Sequence, residues 1–166
     1  MRNYLLVLLI LTGLVLTACQ TSSPKEPATA PLIARFYLEA KPDEAAVTVH
    51  LPQSGINLNV APKPVFSEYD LSDAEIARVE LGLCLQVKFT PAATRDLYRL
   101  SVPAQGRRLV LSLNDEFLGV HRIEHAMADG LVLIFIEVPE ERLPALVKQL
   151  KNTSAELARI GQKNIK

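Results

Sequence analysis

Tryptophan is absent from these 166 residues, and cysteine, with two, and glycine, with seven, are scarce. Each shortage removes a class of answer. Two cysteines, Cys19 and Cys84, are too few for a disulfide framework or a thiolate zinc site. Glycine nowhere gathers into a phosphate-cradling loop, and no serine sits in a nucleophile elbow. Charge of one sign is missing too: 18 basic side chains meet 18 acidic ones. Nucleic-acid binding would leave a basic excess, so no nucleic-acid partner is expected. The longest apolar run is about 13 residues, Tyr4 to Leu16, short of the roughly 20 that cross a bilayer as a helix. With aromatics at 5% and hydrophobic residues at 49%, one domain with an aliphatic core is expected.

What is present begins with the motif around that run. Arg2 supplies a short positive region, Tyr4–Leu16 an apolar one, and Leu16-Thr17-Ala18-Cys19 follows. The order is that of a cleaved secretory leader, with small residues before the cut. Leu16-Thr17-Ala18-Cys19 resembles the lipobox of bacterial lipoproteins. The resemblance implies cleavage between Ala18 and Cys19, a diacylglycerol on the Cys19 sulfur and acylation of the new amine. Two or three acyl chains anchor durably where one does not. Gln20, in place of the aspartate that retains many lipoproteins in the inner membrane, implies the periplasmic face of the outer membrane. The stretch 19–31 is polar with three prolines, a semi-extended tether reaching on the order of 35 Å.

From Leu32 the pattern is mostly period two. "ARFYLEA", "AVTVHLP" and "INLNVAPKPVF" read as strands, the third confined to an edge by Pro62 and Pro64. In "ARVELGLCLQVKF", Val79, Leu81, Leu83, Leu85, Val87 and Phe89 share one parity, predicting a strand buried on one face and bent or folded back at Gly82. Thr90-Pro91 then opens a helix whose inner stripe is Ala93, Leu97 and Leu100. "LVLSL" and "EFLGVHRI" flank a hairpin turn at Asn114-Asp115, and "LVLIFIEV" reads as a central strand covered on both faces. A last helix carries Leu143, Leu146, Val147 and Leu150, opening at Pro139 or Pro144, with Lys148 and Lys151 near its end. Strands, helix, strands, helix predict an α+β fold: a mainly antiparallel sheet with two helices on one face. The division expected is leader 1–18, tether 19–31, α+β domain 32–152, and a helical extension or frayed tail 153–166.

Within that domain, "YDLSDAEI", the alternating strand to Phe89-Thr90, "PAATRDLYRL", "GRRLVLSLND", Gly130 and "VPEERLPALVKQL" resemble the head of the first periplasmic domain of the SecD family. The resemblance covers Asp70 to Lys151. It implies that fold, a periplasmic setting and the handling of protein chains. Two departures stand out: Glu116 follows the acidic turn, and Gly119-Val120-His121-Arg122 lacks a proline.

Candidate chemistry is thin. "HRIEH", residues 121–125, fits the inverted zinc-protease pattern, but that motif grips a metal only on a helix. Here it follows extended sequence, where His121 and His125 would stand roughly 13 Å apart. Cys84 has no nearby histidine to activate it, and Asp70, Asp73 and Glu75 read as turn and cap residues. No catalytic residue, metal ligand or cofactor is assigned. Arg95, Arg99, Arg107 and Arg108 form a possible partner-binding patch for acidic peptide or anionic lipid. The function expected is a non-catalytic, lipid-anchored periplasmic module that binds a protein or envelope component. The rivals are a small metal-dependent hydrolase and a structural envelope spacer. Mass spectrometry of native protein from membranes should find a chain beginning at acylated Cys19. A chain still beginning at Met1, or at an unmodified thiol, removes the anchor and the cellular address together.

Overall fold

Residues 31–163 are described by the computed structural model, and nine strands and two α-helices lie among them. Cys19, Ala18 and the tether up to residue 30 lie outside the described residues. The strands are β1 (Ala34–Leu38), β2 (Val47–His50), β3 (Asn57–Val60), β4 (Phe66–Ser67), β5 (Leu71–Val79), β6 (Gly82–Phe89), β7 (Arg108–Leu113), β8 (Glu116–Arg122) and β9 (Leu131–Ile136). Helix α1 (Pro91–Ser101) separates β6 from β7, and α2 (Leu143–Lys163) follows β9. Seven strands make one antiparallel sheet in the order β4-β1-β7-β8-β9-β6-β5, while β2 and β3 form a separate hairpin. This is the expected α+β arrangement, with both helices on one face.

Local chemistry explains the boundaries. Thr90 caps α1, its Oγ1 accepting from the Ala93 amide at 3.3 Å, and Pro91 occupies the first position, where no amide partner is needed. Asn114 and Asp115 take φ of 49° and 66°, the mirror-image turn that suits a two-residue hairpin. A 3-10 turn, Glu140–Arg142, leads into α2, so Pro144 is its second residue and costs no helical hydrogen bond. That settles the start of the last helix. It also runs through the expected boundary at residue 153 to Lys163, which places Lys148 and Lys151 in its first half rather than near its end.

The sheet cannot be flat. Three residues, Glu68–Asp70, join β4 at one edge to β5 at the other, a link that reaches at most about 14 Å. Ser67 and Asp70 brace it: the Ser67 amide donates to Asp70 Oδ2 at 2.8 Å and its hydroxyl at 3.2 Å. The edges are drawn together and the sheet curls. Phe36 on β1 therefore meets Phe89 on β6, four places away in the sheet, with ring centroids 5.3 Å apart. Phe66 on β4 packs edge-on to Phe89 at 5.0 Å. Around these rings the concave face is filled by aliphatic side chains of the sheet, by Ala93 and Leu97 of α1, and by Leu143, Val147 and Leu150 of α2. Helix α2 also reaches β1, where Thr153 Oγ1 accepts from the buried Leu32 amide at 3.0 Å.

Of the two forms expected at Gly82 the chain takes the fold-back: it reverses at Glu80-Leu81 and Val79 pairs with Gly82, so Val79 and Leu81 do not share the face of the row that follows. Only Leu83, Leu85, Val87 and Phe89 face the helices; Leu81 sits at the hairpin tip, 84% exposed. Strand β9 is central by position but covered on one face. Val132 and Ile134 are buried, whereas Leu131 and Phe135 on the convex side are 39% and 40% exposed. The convex face is covered over β1, β7 and β8, where Val49, Leu51, Leu58 and Val60 of the β2–β3 hairpin pack on Val110. The third expected strand divides at its prolines into β3 and the short edge strand β4.

Because Phe89 joins two walls of the curl, Phe89→Ala should destabilise the protein by about 3–5 kcal/mol, measured by urea unfolding. A loss below about 1 kcal/mol would mean that the ring cluster does not hold the curl closed.

Candidate functional site

The four arginines do not form one patch. Arg107 and Arg108, at the start of β7, are used internally. Arg107 Nε donates to the Glu39 carbonyl at 2.6 Å, its Nη2 donates to the same oxygen, and Nη2 also meets Glu44 Oε2 at 2.8 Å. Arg108 donates from Nη1 to Glu39 Oε1 at 2.8 Å and from its amide to Glu39 Oε2 at 2.9 Å. This part-buried, charge-assisted set fastens the segment after β1 to β7. Arg95 and Arg99 instead stand on the exposed face of α1. Arg99 pairs with Asp96 at 3.3 Å in a solvated ion pair, worth well under 1 kcal/mol. No ion pair among the described residues involves Arg95. Tyr98 and Val102, both about half exposed, complete a helical stripe with them. A shallow cleft of about 400 Å³ lies among Thr94, Arg95, Tyr98, Arg99 and Ala128.

The "HRIEH" residues are split between a strand and a loop. Strand β8 ends at Arg122, and Glu124 and His125 follow as exposed coil. The ladder between β8 and β9 holds only at Gly119 and Val120. Beyond it the His121 ring bridges the gap, its Nδ1–H donating to the Leu133 carbonyl at 2.8 Å. Burial pulls the His121 pKa below the ordinary histidine value, against the Leu133 hydrogen bond and the Glu124 charge; His125 adds to the lowering. Among the described residues no group of three histidine, cysteine, aspartate or glutamate side chains is placed to hold a metal ion.

Cys84 is fully buried on the convex side of β6, its Sγ 3.5 Å from the Ala77 carbonyl, and burial pushes its thiol pKa up. A raised pKa keeps it a thiol, which is the less nucleophilic form. Asp70 lies in the 3-10 turn, as a turn residue should, but Asp73 and Glu75 lie within β5 rather than before a strand. Lys151 of α2 reaches them, its Nζ 3.4 Å from Asp73 Oδ1 and 3.8 Å from Glu75 Oε1. Beside this ion-pair cluster, Ile76 is 39% exposed and borders a second cleft of about 400 Å³ with Pro144 and Val147. The sequence hid this cluster because partners 78 and 76 positions apart leave no local pattern. Glu137 was missed for the same reason. Its Oε2 accepts from the Gln53 and Ser54 amides at 2.7 and 3.0 Å, pinning the tip of the β2–β3 hairpin. Burial alone would raise the Glu137 pKa, but the Ser54 and Gln53 hydrogen bonds and the nearby His50 outweigh it and hold it below the usual value.

No protein-family model and no curated protein matches the sequence. Among solved structures the fold is similar to a chain of SecDF, a membrane component that enhances protein export. The TM-score is 0.55 at 16% identity, over 73% of this chain and 62% of that one. SecDF in its super-membrane-facing form gives the same TM-score and identity over 72% of this chain and 18% of that one. The fold is SecD-like, and the chain spans less than two thirds of the SecDF chains it matches. Among the described residues no helix is long and apolar enough to cross a membrane.

His121 gives the site a pH signature. Its folded-state pKa lies below the unfolded value, so folding resists its protonation. Stability should be level above about pH 6.5 and fall as pH drops through that value toward the folded pKa. Glu137 has the depressed carboxylate pattern, so its contribution is kept above about pH 4.3 and lost as pH falls below that. Urea unfolding midpoints measured between about pH 7.5 and 5 should show this slope in the wild type and lose it in His121→Gln. An equal slope in both proteins would remove His121 as its source.

Proposed function

We propose that this chain is a lipid-anchored binding module of the bacterial envelope, held by Cys19 at the periplasmic face of the outer membrane. In this reading it engages a protein partner, as an accessory in protein export or envelope assembly, and catalyses no reaction. The observation that carries the reading is the pairing of a lipobox-like leader with a SecD-like fold. SecDF itself is a membrane component that enhances protein export. Here such a fold would be carried by acyl chains on Cys19. Two surfaces suit binding: the Arg95–Tyr98–Arg99 stripe of α1 and the outer edge of β5. Arg107 and Arg108 contribute indirectly, by holding the segment around Glu39 and Glu44 in place.

The test is in-cell photocrosslinking from probes placed at Tyr98 and at Ile76. A discrete crosslinked band should appear at one of these positions and be absent from probes at the hairpin residue Val47. It should weaken when Cys19→Ala releases the protein from the membrane. Crosslinks no stronger than those of an unrelated lipid-anchored domain would defeat the reading.

A further inference from the structure

Strand β5 is the long edge of the sheet: nine residues, paired on one side with β6. No described strand pairs with its other side. Its two-residue hairpin closes on the pair Val79–Gly82. In an antiparallel ladder, hydrogen-bonded and non-bonded pairs alternate from such a closing pair. Asp73, Glu75, Ala77 and Val79 therefore turn their backbone groups toward β6. Ala74, Ile76 and Arg78 turn theirs outward. The Ala74 amide is occupied by the Asp73 carboxylate at 2.8 Å, so the open stretch runs from Ile76 to Arg78. The opposite edge of the sheet offers no equivalent. Strand β4 has two residues, with Pro62 and Pro64 before it and the Glu68–Asp70 turn after it.

The side chains around this edge define what could join it. Asp73 and Glu75 pair with Lys88 and Gln86 across β6, on the face away from the helices. Lys151 comes from α2, on the other face, so it must cross the open edge to lie 3.4 and 3.8 Å from their carboxylates. A lysine laid over an edge strand is a common way of keeping other strands off. It also marks where a basic group is accommodated. On the helix side, Ile76 opens into the cleft with Pro144 and Val147. A strand laid alongside would thus place alternate residues in two settings: aliphatic over the cleft, basic beside Asp73 and Glu75.

A second copy of this chain does not meet that requirement. Two strands related by a two-fold axis normal to the sheet can place opposite one another only residues of the same parity. Opposite Asp73 and Glu75 they would bring Leu71, Asp73, Glu75, Ala77 or Val79, none of them basic. We infer that the open edge of β5 takes an added strand from an extended polypeptide in which aliphatic and basic side chains alternate, displacing Lys151 as it pairs. This deepens the binding role proposed above and rests on it for its biological setting.

The probe is a fluorescein-labelled synthetic peptide of alternating valine and lysine, titrated with the full chain and followed by anisotropy. Two controls share its length: one N-methylated at alternate amides, one with glutamate in place of lysine. The valine–lysine peptide should bind, and each control should bind at least about tenfold more weakly. Lys151→Ala should tighten binding several-fold by removing the competitor, and Asp73→Asn/Glu75→Gln should weaken it, with folding of each variant checked by circular dichroism. Equal binding of the N-methylated control would show that the contact is not a strand, and weakening by Lys151→Ala would show that the lysine does not compete. Absence of binding would close the edge to this chemistry, and a dimer abolished by Ile76→Asp would assign the edge to a second copy. Each of these four results overturns the inference. If the peptide binds but no crosslinked partner forms in cells, the edge stands and the functional reading falls. If crosslinking survives Ile76→Asp while the peptide fails, the reverse holds.

Discussion

Seven strands whose outermost members are joined by three residues must close toward one another, and most of the structure follows from that closure. The curl makes the concave face deep enough to be filled with few aromatic rings. Phe36, Phe66 and Phe89 can touch only because strands far apart in sheet order are brought face to face. Such aromatic contacts add about 0.5–1.5 kcal/mol each beyond their buried area. The same closure leaves a seam between β5 and the start of β1. Helix α2 spans it, packing on β5 and the Glu68–Asp70 turn and accepting the Leu32 amide through Thr153. Once its second half lies over that seam, Thr153 and Ser154 are buried despite their polarity.

Several polar side chains act as fasteners. Glu39 and Glu44 hold Arg107 and Arg108, and Glu137 holds the hairpin tip. His121 restores a hydrogen bond where two strands part. Each of these ties an irregular segment to the sheet. On α1 and along β5, Arg95, Tyr98, Arg99 and Ile76 remain exposed.

Much of this was legible in the sequence. Thr90-Pro91 marked a helix start, Asn114-Asp115 a hairpin, and the Leu83-to-Phe89 row a one-sided strand, because each depends on neighbours within a few residues. Register among distant strands was not legible. Val79 and Leu81 continued the parity of the next strand although a reversal separates them, since a two-residue turn preserves alternation in the letters while inverting it in space. The apolar run in β9 read as doubly covered because periodicity reports which residues are apolar, not whether another layer reaches them. Lys151 read as a helix-end charge because the turns that follow it, from Asn152 to Lys163, have weak apolar spacing. Its partners lie on β5, and the candidate edge emerged only once the sheet was assembled.

The bond between the Leu32 amide and Thr153 has a mechanical consequence. Any tension carried by the preceding residues enters the domain at the beginning of β1, which is flanked by β4 and β7. A pull directed along that strand strains its ladder to β7 in parallel, so the bonds must yield together instead of unzipping one by one. The α2 contact resists peeling at the point of attachment. A domain moored by its amino-terminal side would thereby withstand drag on its far surfaces without surrendering its first strand.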